Sequence, residues 1–286
     1  MSFPPRAFII GAQKAATTSL AFLLDQHPAI RLSDPKETHY FSVNWDEGED
    51  WYRTKFPGTA DDVMLLDAST SYAMAPVSDA MPDSSKRPRW GLSVPERIHS
   101  YAENAKFIYM LRRPAERTYS AYWHMVRSGQ ERLPFREAID AHPVYLETSK
   151  YHAQIAIFLD HFDLKNFHLI DFRAFANDPG FYARASLEFL EIPDSRFEFE
   201  LETEKNKSFQ YNKAGLTMQK LFGTDQNIKS VNQMIKGLLP KSIHNRLKSL
   251  VSKEIPQMSD SDRTFLEDYF AEENAKLRDL TGFEFQ

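Results

Sequence analysis

The sequence predicts an α/β fold: a parallel sheet flanked by helices, a P-loop-like anion loop after the first strand, and a helical C-terminal elaboration. Three observations carry this. Short continuous apolar runs, the mark of strands buried on both faces, alternate with helical patterns. The first run ends at Gly11, and a stretch bearing Lys, Thr and Ser leads from it straight into a helix. After residue 212 the strand-like runs stop, and Leu, Ile, Val and Met recur at helical spacing.

In order along the chain, Ala7, Phe8, Ile9 and Ile10 form the first strand. Residues 17–24 form the first helix, and His27-Pro28 ends it, because a residue before proline is disfavoured in the helical region. Residues 63–66, 106–111 and 167–170 read as further core strands. Residues 95–102 read as a helix opened by Pro95, since a first-turn N–H has no intrahelical partner to lose. Residues 114–127 follow with Pro114 in the same role. Tyr151, Ile155, Phe158, Leu159 and Phe162 make one apolar helix face, and residues 179–190 predict another helix. Residues 212–256 predict a helical insertion within a single domain spanning 1–286. Leu266, Tyr269, Phe270, Leu277 and Leu280 predict a closing amphipathic helix. Residues 81–95, rich in Pro and polar side chains, read as the softest stretch.

Composition narrows the function. The chain has 286 residues and no cysteine, which excludes a disulfide scaffold, a Cys-ligated metal and a catalytic thiol. Its nine His are scattered, so no metal is expected. The net charge is 35 − 40 = −5, which argues against nucleic acid as a partner. Residues 106–136 nonetheless carry seven Lys/Arg against two Glu, a cationic island. No apolar run approaches the ~20 residues of a membrane span, and residues 1–11 lack the apolar block of a signal peptide, so a cytoplasmic location is expected.

Three motifs carry chemistry. Gly11-Ala12-Gln13-Lys14-Ala15-Ala16-Thr17-Thr18-Ser19 joins strand to helix. A helix N-terminus there aims N–H groups at an anion, Lys14 adds a charge, and three hydroxyls follow. On the residues alone the segment also reads as an ordinary helix cap beside a solvated lysine. It is not a Walker loop, because Ala16 and Thr17 stand where that motif needs Gly and Lys. Lys36-Glu37-Thr38-His39-Tyr40-Phe41 sets a carboxylate between cations, which keeps it ionised and able to take a proton. A surface turn ahead of a buried Tyr-Phe anchor fits the same residues. Leu111-Arg112-Arg113-Pro114 ends a strand in two guanidiniums, with Arg117 and Ser120 on the helix that follows. Ligands of open α/β sheets bind at strand carboxyl ends, and Arg suits phosphate there; a basic surface helix is the other reading.

The three motifs together resemble the sulfotransferases that use 3′-phosphoadenosine-5′-phosphosulfate (PAPS). Residues 8–20 resemble their phosphosulfate loop, Lys-x-Gly-Thr-Thr/Ser-x-Leu, with Ala16 in place of the glycine. That loop would survive only if Ala16 takes a φ that alanine accepts. Lys36-Glu37-Thr38-His39, Trp51-Tyr52 and Asp67-Ala68-Ser69-Thr70-Ser71-Tyr72 resemble segments of heparan sulfate glucosaminyl 3-O-sulfotransferases. Residues 112–120 resemble the 3′-phosphate site, with Arg113 replacing the usual Asp or Asn. The resemblance implies that Lys14, Ala15, Ala16, Thr17, Thr18, Ser19, Arg112 and Ser120 bind PAPS, with Lys207 as a late-loop addition. It implies Lys14, Glu37 and His39 as catalytic residues, Glu37 as the base, and a glycan or small-molecule hydroxyl or amine as acceptor. The rival readings are a kinase or NTPase, with Asp67 holding a metal, and a non-catalytic binder of nucleotides or sulfated ligands.

Overall fold

The computed structural model describes residues 3–58, 63–77, 90–193, 197–201, 209–211 and 252–286. Five strands form one fully parallel sheet in the order β2-β3-β1-β4-β5. They are β1 (Ala7–Gly11), β2 (Ile30–Leu32), β3 (Met64–Asp67), β4 (Lys106–Leu111) and β5 (Phe167–Asp171). Every residue of β1 is buried, as its uninterrupted apolar run requires of a central strand. Phe8 stacks on Phe107 of β4 at 5.8 Å, and Phe107 meets Phe158, Phe162 and Phe167 within 5.1 Å. The β2 strand was not expected. It has three residues, too short for a periodicity to register, and it forms because Ile30 and Leu32 bury themselves at the edge beside β3.

The helices among the described residues are α1 (Thr17–Asp25), α2 (Gly48–Arg53), α3 (Trp90–Tyr101), α4 (Pro114–Arg127), α5 (Phe135–Ala141), α6 (Val144–Glu147), α7 (Tyr151–Leu159), α8 (Phe172–Asn177), α9 (Pro179–Phe189) and α10 (Asp260–Thr281). The α3 helix corrects one expectation: it begins at Trp90, so Pro95 lies inside it rather than at its start. Val94 and Ile98, fully buried against the sheet, supply the packing that outweighs one missing backbone bond. The closing helix forms as expected. Leu266 and Phe270 pack into a second apolar cluster with Tyr122, Ile139 and Tyr145, while Leu277 joins the main core. Ser259 caps α10 by accepting the Asp262 N–H.

The expected insertion at 212–256 also changes at its far end. Ser252–Glu254 is a strand, β7, antiparallel to β6 (Phe209–Tyr211). Phe and Tyr favour extended backbone, and this pairing brings the two ends of the excursion side by side. Residues 212–251, Lys207 and residues 81–89 of the soft stretch lie outside the described residues. No helix among the described residues is long and apolar enough to cross a membrane.

All the singled-out motifs sit at the carboxyl ends of the parallel strands. The strand order reverses between β1 and β4, so the loops after those two strands leave toward opposite faces and open a crevice between them.

Candidate active site

The loop after β1 starts at a position that only glycine fits. Gly11 has φ +154°, and a Cβ there would stand 3.1 Å from the Tyr109 ring and 3.5 Å from the Ala73 Cβ. The loop is pinned at its base by Ala12 N–H to the Met110 carbonyl at 2.8 Å and Ala15 N–H to the Ala12 carbonyl at 3.1 Å. Ala16 then enters α1 with φ 64° and ψ 22°. This overturns the condition that the residue sit at a φ alanine accepts. The loop holds its left-handed bend with alanine in place, at a cost of about 1–2 kcal/mol. Lys14 has positive φ as well, 76°.

No side chain caps α1, so its first N–H groups face the mouth of the loop. Thr17 is buried, and Thr18 and Ser19 are exposed beside it. Lys14 is partly buried and has no carboxylate within ion-pair reach among the described residues. Burial lowers its pKa most, the Arg127 and Arg112 charges lower it further, and together they bring it to about 8. Cations that repel one another beside a helix N-terminus with no side-chain cap are an arrangement that suits an anion.

Arg112 ties the third motif to the first. Its Nη1 donates to the Lys14 carbonyl at 3.2 Å across the β1–β4 crevice. Its guanidinium lies 4.7 Å from the Phe172 ring centroid, and Nε is 3.5 Å from Glu116 Oε2. Burial lowers its pKa, against the opposing pull of Glu116. Tyr151 OH donates to the Arg112 carbonyl at 2.8 Å and fixes the strand end. Ser120 lies partly buried on α4. The neighbouring arginines go elsewhere. Arg113 is exposed, with Nε donating to the Gln286 carbonyl at 3.2 Å. Arg117 is wholly buried and donates to Ser149 Oγ and the Tyr145 carbonyl.

On the other side of β1, Glu37 and His39 stand on the segment after β2. Glu37 Oε1 accepts from Lys36 Nζ at 3.1 Å. Its Oε2 accepts from Thr70 Oγ1 at 2.9 Å and Thr70 N–H at 3.3 Å. Burial pushes the carboxyl up, but the Lys36 charge and hydrogen bond, the Thr70 hydroxyl and the His39 charge outweigh it and leave it below the ordinary glutamate value. His39 Nε2 lies 3.7 Å from Glu37 Oε2, and Nδ1 is 2.7 Å from Ser71 Oγ. Both side chains are about a third exposed, at 36% and 32%. The Thr70–Ala73 turn that holds Glu37 and His39 also ends at Gly11, through Ala73, so the carboxylate segment and the anion loop share one wall.

Residues 5–196 match the Sulfotransferase family. The chain belongs to the sulfotransferase family. Over 220 residues the chain is 26% identical to "Heparan sulfate glucosamine 3-O-sulfotransferase 5" of Mus musculus, covering 72% of this chain and 58% of that protein. Over 133 residues it is 35% identical to "Bifunctional heparan sulfate N-deacetylase/N-sulfotransferase 2" of Homo sapiens, covering 44% of this chain and 13% of that one. The chain thus spans a little over half the length of the first relative and a small part of the second. The crystal structure of a sulfotransferase from Alicyclobacillus acidocaldarius has the same fold, with a TM-score of 0.67, 24% identity and coverage of 99% of this chain and 97% of that one.

Sequence reading missed several side chains of the candidate site. Arg127 escaped notice because it ends a helix far along the chain from Lys14, although the cationic island contained it. Thr70 and Ser71 lay in the Asp67–Tyr72 segment without a role; that one carries Glu37 and the other His39 follows only from the pairing of β2 beside β3. Asp67 is fully buried with four O–H donors on its carboxylate, which sequence alone could not distinguish from an exposed strand-end Asp.

Proposed function

We propose that this sulfotransferase moves a sulfuryl group from PAPS to a hydroxyl or amine of a glycan or small-molecule acceptor. The observation that carries the reading is the convergence at one end of the sheet: the uncapped α1 N-terminus with Lys14, Arg112 bonded to the Lys14 carbonyl, and Glu37 on the wall they share. The donor supplies the activated sulfuryl group and a phosphate leaving group.

The protein's residues divide the work. The N–H groups of α1 and the hydroxyls of Thr17, Thr18 and Ser19 would hold the 5′ end of the donor, with Ala15 and Ala16 shaping the loop. Arg112 and Ser120 would hold the 3′-phosphate, and Phe172 and Tyr151 keep Arg112 in place. Lys14 would set its charge where negative charge grows on the leaving oxygen. Glu37, ionised at neutral pH, would accept the acceptor's proton, with His39 beside it. Lys36 and Thr70 fix the carboxylate so that the proton arrives at a defined oxygen. The kinase reading loses its metal-binding Asp, since the Asp67 carboxylate is taken by hydroxyls in the core.

The test is transfer from labelled PAPS against oligosaccharides, phenols, sterols and amines, beside the Lys14→Ala variant. Transfer to one acceptor class is expected, with kcat lowered about 10²–10³-fold in the variant. PAPS binding without transfer to any acceptor would favour the non-catalytic reading.

A further inference from the structure

The Glu37–His39 turn hangs from a buried carboxylate. Asp67, the last residue of β3, is fully buried, and among the described residues no cation pairs with it. Its Oδ2 accepts from Thr38 Oγ1 at 2.6 Å, Tyr72 OH at 2.7 Å and Tyr52 OH at 2.9 Å, and its Oδ1 from Ser69 Oγ at 2.6 Å. Two of these donors reach on into the turn. Thr38 lies between Glu37 and His39, and its Oγ1 also accepts the Tyr40 N–H at 3.1 Å. Ser69 Oγ accepts the His39 N–H at 2.9 Å. His39 holds φ 53°, a left-handed conformation uncommon outside glycine, and these bonds hold the turn around it.

We infer that Asp67 is a positioning residue for the proposed acceptor side of the site, setting the Glu37 carboxylate and the His39 ring through Thr38 and Ser69. The inference rests on the function proposed above. Burial pushes the Asp67 carboxyl up, and the hydrogen bonds from Ser69, Thr38, Tyr72 and Tyr52 pull it back. A carboxylate accepts at both oxygens and donates at neither, so all four hydroxyls must point inward and their directions are fixed. The orientation of Thr38 and Ser69, and hence of the main chain at 37–40, then has one solution. Thr70, directly after Ser69, bonds Glu37 Oε2 from the same strand end, so a shift of the Asp67 hub would loosen the Lys36–Glu37–Thr70 contacts together.

The test compares Thr38→Val, Thr38→Ser and Asp67→Asn with the parent by three readouts. These are the Glu37 carboxyl titration by NMR in ¹³C-glutamate-labelled protein, the Kd for adenosine 3′,5′-bisphosphate, and kcat. Thr38→Val keeps the branched shape and removes only the hydroxyl. In it the Glu37 pKa should rise toward the ordinary value, kcat should fall at least about tenfold through misplacement of the base, and Kd should stay within about twofold. Thr38→Ser should restore both. An unchanged Glu37 titration in a folded Thr38→Val with lowered Tm would overturn the proposal and leave Asp67 a core residue. If Asp67→Asn fails to fold, Thr38→Val still decides. If the parent transfers no sulfuryl group, the function proposed above falls, while the Glu37 titration still answers the positioning question.

Discussion

Lys14 should make nucleotide binding depend on pH in a window where little else titrates. Its pKa is pushed down to about 8 from 10.5 by burial and by Arg127 and Arg112. A bound phosphate dianion beside it supplies the missing counter-charge and draws the pKa back up. The sign follows. The complex holds the lysine proton more tightly than the free protein does, so binding takes up a proton wherever the free lysine has lost it. Affinity is therefore full below about 8 and falls as pH rises above it. Complete restoration would couple the two events by about 3.4 kcal/mol. Between pH 7 and 9.5 the expected loss of affinity is about 25–30-fold, since the ligand's phosphates stay dianionic throughout. The buried Tyr52, Tyr72 and Tyr109 are pushed up by desolvation and do not titrate in this window. Calorimetry of adenosine 3′,5′-bisphosphate binding in two buffers of different ionisation enthalpy, at about pH 8.5, should report uptake of about 0.75 proton. Lys14→Arg should bind with no such dependence, because guanidinium does not titrate here. A flat affinity from pH 7 to 9.5 in the parent would refute the reasoning and place Lys14 away from the bound anion.

Three further outcomes are expected. Glu37→Gln should lower kcat by about 10²–10⁴ with nucleotide affinity unchanged, and the parent's acid limb should lie below the ordinary glutamate range, since the base is lost only as pH falls through a depressed pKa; an active Glu37→Gln beside an inactive His39→Ala would give the base role to His39. Arg112→Ala should weaken adenosine 3′,5′-bisphosphate by about 10–150-fold and leave adenosine 5′-phosphosulfate unaffected, and an equal loss for both ligands would separate Arg112 from the 3′-phosphate. Ala16→Gly should relieve about 1–2 kcal/mol of left-handed strain against about 0.4–1 kcal/mol of added chain entropy, for a net gain of about 0–1.6 kcal/mol in chemical denaturation; destabilisation by more than 1 kcal/mol would show that the Ala16 methyl packs for more than its backbone costs.

What was legible in the sequence was whatever is local. The runs at 7–10 and 106–111 became the central strands because an apolar stretch of that kind belongs in the middle of a parallel sheet, and the run at 167–170 pairs with the second of them at the edge. Pro114 opened α4 as its position implied. Lys14, Glu37 and Arg112 were legible for a related reason: each sits in a short segment whose residue types already suggest an anion or a proton. What stayed hidden depends on which strands lie side by side. Glu37 and Thr70 are far apart in the chain and meet only because β2 pairs with β3. Arg113 and Arg117 looked like members of the same basic cluster as Arg112. Arg113 precedes α4 and is exposed, Arg117 lies one turn into it and is buried, and a charge count cannot separate them.

Arg117 and Asp67 share a logic. Each is a fully buried ionisable group, one basic and one acidic, and among the described residues each is held by dipoles rather than by an opposite charge. Arg117 grips Ser149 Oγ and the Tyr145 carbonyl, and two residues past Ser149 the Tyr151 hydroxyl holds the Arg112 carbonyl. Asp67 grips the four hydroxyls beneath Glu37 and His39. A buried ion pair would satisfy the same charges, but it would fix only one direction between two side chains. An ion surrounded by neutral donors or acceptors orients every one of them, and the cost of desolvating it is spread over several hydrogen bonds. Removing any partner leaves part of that cost uncompensated, so the arrangement tolerates little drift. Arg117 thus underpins the end of β4 and Asp67 the end of β3, the strands on either side of the anion loop. The bonds that fix Arg112 and Glu37 are therefore anchored in the core, while the groups themselves stay at the crevice.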